Sequence, residues 1–346
     1  MTHTIAYLPG DGVGPEVAGA ARQVIEKATD RFGIALSFKE AAFGGAAIDA
    51  AGHPYPDATK EICAGADAIL LGAVGGPKWD AATIRPEKGL LEIRQALGLF
   101  ANLRPIAVMA GMERHSPLKT EIATNTDILI IRELNGGVYY GERVEGNDNA
   151  SDLCTYSREE VTRIARIAFE AARGRRGKVT SVDKANVLAT SRLWRTVTTE
   201  LQETEYSDVT LEHQLVDSMT MKLITNPSDY DVVLTENMFG DILSDEASVI
   251  AGSIGLAPSA SLNEKKAGLY EPIHGSAPDI AGQGKANPVG AILSGAMLLR
   301  HSLDQEDAAA AIETAVVGAL KDGVATGDLG GDATTDTMTA AVLERV

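Results

Sequence analysis

Residues Thr4 to Pro9 read TIAYLP and Gly10 to Pro15 read GDGVGP, an apolar strand-like run followed by a glycine-rich turn. Such a turn, between a first strand and a first helix, is where a dinucleotide pyrophosphate sits in a Rossmann domain. The fingerprint asks for glycine at its first, third and sixth positions, and here the sixth is Pro15. Proline suits the first turn of a helix, but it has no N–H to donate and is not small. An acid is also expected about 20 residues further on, whereas Glu40 lies beyond that spacing. The stretch therefore reads as a tight turn into a helix whose glycines permit close backbone approach. A Rossmann fold is not predicted.

Working outward, apolar strand-like runs recur at 66–74, 127–134, 178–184, 208–216 and 230–237. Helical patterns lie between and after them at 15–32, 89–99, 158–175 and 287–303, the last predicted to start with Asn287 as N-cap and Pro288 as first helical residue. This alternation predicts an α/β fold with at least part of its sheet parallel. Residues 135–156, NGGVYYGERVEGNDNASDLCTY, break the rhythm. They are too long and polar for an ordinary connection and read either as a surface loop or as an arm that pairs with a partner subunit.

A chain of 346 residues, 45% hydrophobic, has enough apolar side chain for a sizeable core, and its length favours two domains. A net charge of −17 argues against a nucleic-acid partner, which needs a basic face. Two cysteines, Cys63 and Cys154, make neither a disulfide framework nor a zinc spacing. With no leader-like N-terminus and no apolar run of roughly 18 residues, a cytoplasmic protein without a membrane span is expected.

Residues 236–252, ENMFGDILSDEASVIAG, follow the strand-like YDVVLTE. If helical, they place Asp241 and Asp245 at i and i+4, on one face. Phe239, Ile242 and Leu243 suggest that this face is partly buried. Two carboxylates there call for a cation, and Mg²⁺ or Mn²⁺ suits such oxygen donors. Asp217, read as the end of the preceding strand, is a candidate third ligand; the alternative is a solvated acidic face. Arg94, Arg104 and Arg132 fall near predicted element ends, and three arginines in an acidic chain point to a small di- or tricarboxylate. Lys184, ending a strand, is a candidate base and Tyr139 a candidate proton donor.

Seven stretches, in order, carry a resemblance: LPGDGVGPEV, LLGAVGGPKWD, GLLEIRQALGLFANLRP, IIRELNGGVYYGER, SVDKANVL, ENMFGDILSDEAS and YEPIHGSAPDIAGQGKANP. Through them the chain resembles the isocitrate/isopropylmalate dehydrogenase family of β-decarboxylating dehydrogenases, almost end to end. The resemblance implies a two-domain α/β fold about a cleft, sharing one long sheet and distinct from the Rossmann fold. It assigns 1–100 with 253–346 to nucleotide binding, and 101–252, with an arm at about 135–156, to substrate binding and dimerisation. It implies NAD-dependent oxidative decarboxylation, with Arg94, Arg104 and Arg132 on the substrate carboxylates and Asp217, Asp241 and Asp245 on Mg²⁺ or Mn²⁺. Lys184 would be the base, with Asp217 also touching substrate, and Tyr139 the proton donor. Lys184 and Asp217 would come from the other subunit of a homodimer. His274, Gly275, Ser276, Ala277, Asp279 and Asn287 would hold the adenosine half of NAD, Asp279 favouring NAD over NADP.

Within that family Glu87, Leu90, Leu91 and Leu188 stand at the positions that recognise the substrate's C3 substituent. Leucines favour a branched alkyl group, whose burial is worth on the order of 2 kcal/mol. The expected substrate is 3-isopropylmalate and the product 4-methyl-2-oxopentanoate, a step of leucine biosynthesis. D-Malate or tartrate oxidation, or a catalytically silent regulatory subunit, are the alternatives.

Overall fold

The computed structural model describes residues 2–81, 83–109, 111–265 and 267–346. Its strands are β1 (His3–Gly10), β2 (Leu36–Glu40), β3 (Ala68–Ala73), β4 (Ala101–Ala107), β5 (Asp127–Glu133), β6 (Arg143–Glu145), β7 (Ala150–Asp152), β8 (Lys178–Asp183), β9 (Thr210–Leu215), β10 (Val232–Thr235), β11 (Pro258–Leu262) and β12 (Gly268–Pro272). The chain divides into two compact units, Met1–Leu99 with Gly252–Val346, and Phe100–Ala251.

In the terminal unit the strand order is β2-β1-β3-β12-β11, with every pairing parallel except that of β11 with β12. The sequence of β3, AILLGA, is buried at all its positions. A parallel strand covered on both faces needs such an uninterrupted apolar run. The helix Val289–His301 is buried through Leu299 and packs on β11, β12 and the helices Gly14–Phe32 and Glu306–Lys321. It is apolar all round because it has no solvent face. Its N-cap is Pro288, one residue later than the sequence predicts. Asn287 still caps in effect, since its side-chain oxygen accepts from Val289 N at 3.1 Å; Pro288 has no N–H to use that acceptor.

The quoted N-terminal stretch forms β1, a turn at 11–13 and the helix Gly14–Phe32, with Pro15 in the first turn. Gly12 has φ +58°, and a Cβ there would lie 2.0 Å from the Ser276 carbonyl oxygen. The glycine thus lets two backbone segments touch, and Val13 N donates to that same carbonyl at 2.8 Å.

The central unit has the order β4-β5-β10-β8-β9, with β4 antiparallel and the remaining pairs parallel. The helix Arg158–Arg173 starts with a capping box of Ser157 and Glu160 and buries Val161, Ile164, Ala165, Ala168, Phe169 and Ala172. Those positions recur every three or four residues, the stripe an amphipathic helix presents to a sheet. Between Asn135 and Tyr156 the chain makes a short turn, Gly137–Tyr139, then a ribbon of β6 paired antiparallel with β7. Both ribbon strands are exposed along their length.

Candidate active site

The helix Asn237–Ile250 springs from the C-terminal end of β10, where α/β sheets present ligand sites. Glu236 caps it, its carboxylate accepting from Phe239 N at 2.5 Å. The helical repeat brings Asp241 and Asp245 onto one face. Two buried guanidiniums meet them. Arg132, from β5, donates to Asp241 at 2.5 Å, and Arg104, from β4, lies 3.7 Å from Asp241 and 3.5 Å from Asp245. Arg104 also donates to Ser244 Oγ at 2.5 Å. Gly240 makes room for this crossing, since a Cβ there would come within 2.8 Å of the Arg132 side chain. Tyr139 completes the group, donating to Asp241 at 3.0 Å. Desolvation, then the Asp241 charge, pushes the Tyr139 phenol up to about 12. Desolvation also raises the Asp245 carboxyl, opposed by Arg104 and reinforced by Asp241.

Of the three apolar neighbours expected to bury this face, Phe239 and Leu243 are buried but Ile242 is 55% exposed. The reason is helical phase: Ile242 shares the helix's solvent side with Val249, two turns on and 51% exposed. Asp217 likewise differs from its sequence reading. β9 stops at Leu215, and Asp217 sits in the first turn of the helix Val216–Thr225. There it accepts from Lys184 Nζ at 2.7 Å, which holds its carboxyl below the usual range. Among the described residues no group of three metal-ligating side chains converges within one chain, so Asp217 does not join Asp241 and Asp245 in the same copy. Leu188 precedes the helix Ala189–Glu205 and is 38% exposed.

In the terminal unit, Arg94 is buried and donates to the Glu271 carboxylate at 2.9 Å. It shares the helix Glu87–Ala96 with Glu87, which is exposed, and with Leu90 and Leu91, which are half-buried. Leu90 packs against the core cluster of Phe43, Tyr55 and Ile93.

The same unit contains a cavity of about 490 Å³ lined by His274, Gly275, Ala277, Asn287 and, on another segment, Asp328. Its volume lies in the range of small-molecule sites. Ser276 is buried behind it, engaged with the N-terminal turn, and Asp279 is exposed. Ala277 has φ +37°, a left-handed conformation uncommon outside glycine and often kept where a ligand is bound. His274 Nδ1 bonds the Gly275 carbonyl at 2.9 Å, while its Nε2 is buried without a hydrogen-bond partner. Burial lowers the imidazole pKa, so the neutral ring carries its proton on Nδ1 and offers Nε2 as an acceptor.

Sequence reasoning missed the residues that hold these loops. Glu16 accepts from Gly282 N at 2.5 Å and Gly284 N at 3.0 Å. Asp11 accepts from Gly45, Ala46 and Gly75 N–H groups at 2.8 to 2.9 Å. Asp328 accepts from Ser253 and, at 3.0 Å, from Asn287. An acid beside a glycine-rich turn was the available signal for the first two; nothing local marks Asp328.

A sequence model of the isocitrate/isopropylmalate dehydrogenase family matches residues 4–344. The chain belongs to that family, and with it to the decarboxylating oxidoreductases. Among its relatives, the 3-isopropylmalate dehydrogenase of Streptococcus thermophilus is 54% identical over 346 residues, covering 100% of both chains. The 3-isopropylmalate dehydrogenase of Heyndrickxia coagulans is 56% identical over 335 residues, covering 95% of this chain and 91% of that one. Among solved structures, the isocitrate dehydrogenase of Methylococcus capsulatus superposes with a TM-score of 0.88 at 35% identity, covering 99% of each chain. A β-decarboxylating dehydrogenase of Thermococcus kodakarensis gives 0.81 at 38%, covering 99% and 96%.

Proposed function

We propose that this chain catalyses the NAD-dependent oxidative decarboxylation of 3-isopropylmalate to 4-methyl-2-oxopentanoate, a step of leucine biosynthesis. The observation that carries the reading is identity above 50% along at least nine-tenths of relatives bearing that activity in their names. The geometry supports it independently. Two guanidiniums from β4 and β5 balance the two carboxylates of the helix Asn237–Ile250. A dianionic malate entering such a group is electrically matched only if a dication enters with it. Asp241 and Asp245, hard oxygen donors backed by arginines, fit Mg²⁺ or Mn²⁺, and Asp217 of a second copy is the third ligand in this reading. The His274 acceptor fits the exocyclic amino group of an adenine, and Asn287, Gly275, Ser276, Ala277 and Asp279 complete the proposed NAD contacts.

When bound, the divalent ion would supply Lewis acidity at the substrate oxygens, and the nicotinamide would supply hydride acceptance. The chain's own residues orient and move protons. Arg104 and Arg132 grip substrate carboxylate in place of the aspartates they hold now, and Arg94 is assigned a further carboxylate contact. Lys184, with Asp217 beside it, takes the hydroxyl proton; homodimerisation supplies this pair from the second subunit. Tyr139 returns a proton to the enol; a phenol is protonated at neutral pH at its ordinary pKa, and burial beside Asp241 raises that pKa further. Glu87, Leu90, Leu91 and Leu188 are assigned to the C3 substituent.

The test is NADH formation on 3-isopropylmalate, D-malate, tartrate and isocitrate, with and without a chelator and with NADP⁺ in place of NAD⁺. Strong preference for 3-isopropylmalate with NAD⁺, abolished by chelation, is expected. Preference for D-malate would overturn the substrate assignment, and chelator-resistant turnover would overturn the metal assignment.

A further inference from the structure

Asn237, the first residue of the helix that carries Asp241 and Asp245, is 1% exposed. Its side chain uses all of its bonding capacity. Oδ1 accepts from Arg132 Nε at 3.1 Å and from Arg132 Nη2 at 2.8 Å. Nδ2 donates to the Leu134 carbonyl at 2.9 Å and the Gly136 carbonyl at 3.0 Å. The first pair fixes the guanidinium whose remaining nitrogen reaches Asp241. The second pair fixes the segment that leads into the turn Gly137–Tyr139, whose phenol reaches the other oxygen of Asp241. Asn237 itself is anchored, its backbone N donating to Tyr156 Oη at 3.0 Å.

We infer that Asn237 is a positioning residue, one amide that sets the substrate arginine Arg132 and the proton donor Tyr139 in register with each other beside Asp241. The inference rests on the reaction proposed above. An amide is the only neutral side chain of this size that presents two acceptor directions to a guanidinium and two donors to carbonyls. The two halves of its task are separable. Asn237→Asp keeps the volume and the oxygen facing Arg132, but turns a second oxygen toward two carbonyls. Asn237→Ala removes both halves.

Steady-state kinetics on the holoenzyme, with thermal melts as a folding control, test this on whichever acid of the substrate panel the wild type turns over. Loss of a buried hydrogen-bonded partner typically costs a factor of about ten or more. Asn237→Asp should therefore lower kcat about tenfold while KM for the acid stays within about threefold. Asn237→Ala should lower kcat similarly and also raise that KM about tenfold, with KM for NAD unmoved in both. Equal KM changes in the two variants, a kcat within twofold of wild type in Asn237→Asp, or failure of both variants to fold would overturn the assignment. A wild type active on D-malate rather than 3-isopropylmalate would sink the substrate reading alone and leave this comparison intact.

Discussion

His213 on β9 illustrates how much a single side chain's surroundings decide. Its Nε2 is 2.9 Å from Thr199 Oγ1, its Nδ1 is buried without a hydrogen-bond partner, and burial followed by the nearby Arg195 lowers its pKa. The folded chain then resists a proton that the unfolded chain accepts below its ordinary value of about 6.5. Stability contributed by this neutral imidazole is present above that pH and is lost as pH falls through the window beneath it. His213→Gln should therefore show a smaller drop in melting temperature between pH 7 and pH 5 than the wild type; an unchanged drop would remove His213 from the acid response. At the same scale, Asp241 and Asp245 were legible because i and i+4 share a helix face whatever the fold. The partners of Asp241 were not, for Arg132 and Tyr139 are brought to it from strand and turn more than a hundred residues away.

Among elements, the stretch between β1 and the helix Gly14–Phe32 carries more than a turn. Its glycines let the backbone of 11–13 touch the 274–276 segment, and Glu16 clamps Gly282 and Gly284 from below. The turn that lacks the dinucleotide fingerprint thus supports, from behind, the loop proposed to hold the nucleotide. Glu16→Gln keeps one acceptor and turns a donor toward an N–H. That loss should raise KM for NAD about three- to tenfold with kcat within about twofold. A KM for NAD unchanged by the substitution would show that the loop holds its shape without Glu16. β1, β3, β5, β8, β9 and β10 were readable from their apolar runs, whereas β2, parallel to β1 but with no fully buried residue, carries no such run and was not picked out. β4, β11 and β12 were not picked out either; each has an antiparallel neighbour, and that pairing depends on where the chain returns rather than on composition.

For the molecule as a whole, the helices Val216–Thr225 and Asn237–Ile250 leave large apolar side chains in solvent, Met221 at 61% and Ile224 at 49% among them. Patches of that kind mark contact surfaces, in keeping with the proposed homodimer. Charging it tests assembly and catalysis together. Met221→Glu with Ile224→Glu should give a monomer by light scattering whose turnover falls at least about a hundredfold, as expected when a needed proton-transfer group is withheld. A fully active monomer would show that Lys184 and Asp217 act within their own chain.

By itself, the sequence determined the α/β alternation, the exclusion of a Rossmann start at Pro15, and the helical pairing of Asp241 with Asp245. These follow from local rules: side-chain period, proline's missing N–H, and the 3.6-residue turn. Tertiary structure alone decided that Arg104, Arg132 and Tyr139 meet on that pair, that Asn237 and Glu16 hold them and the glycine loop in place, and that Asp217 faces Lys184 within its own chain. Those contacts join residues far apart in sequence, and only the packing of sheets and helices brings them within hydrogen-bond reach.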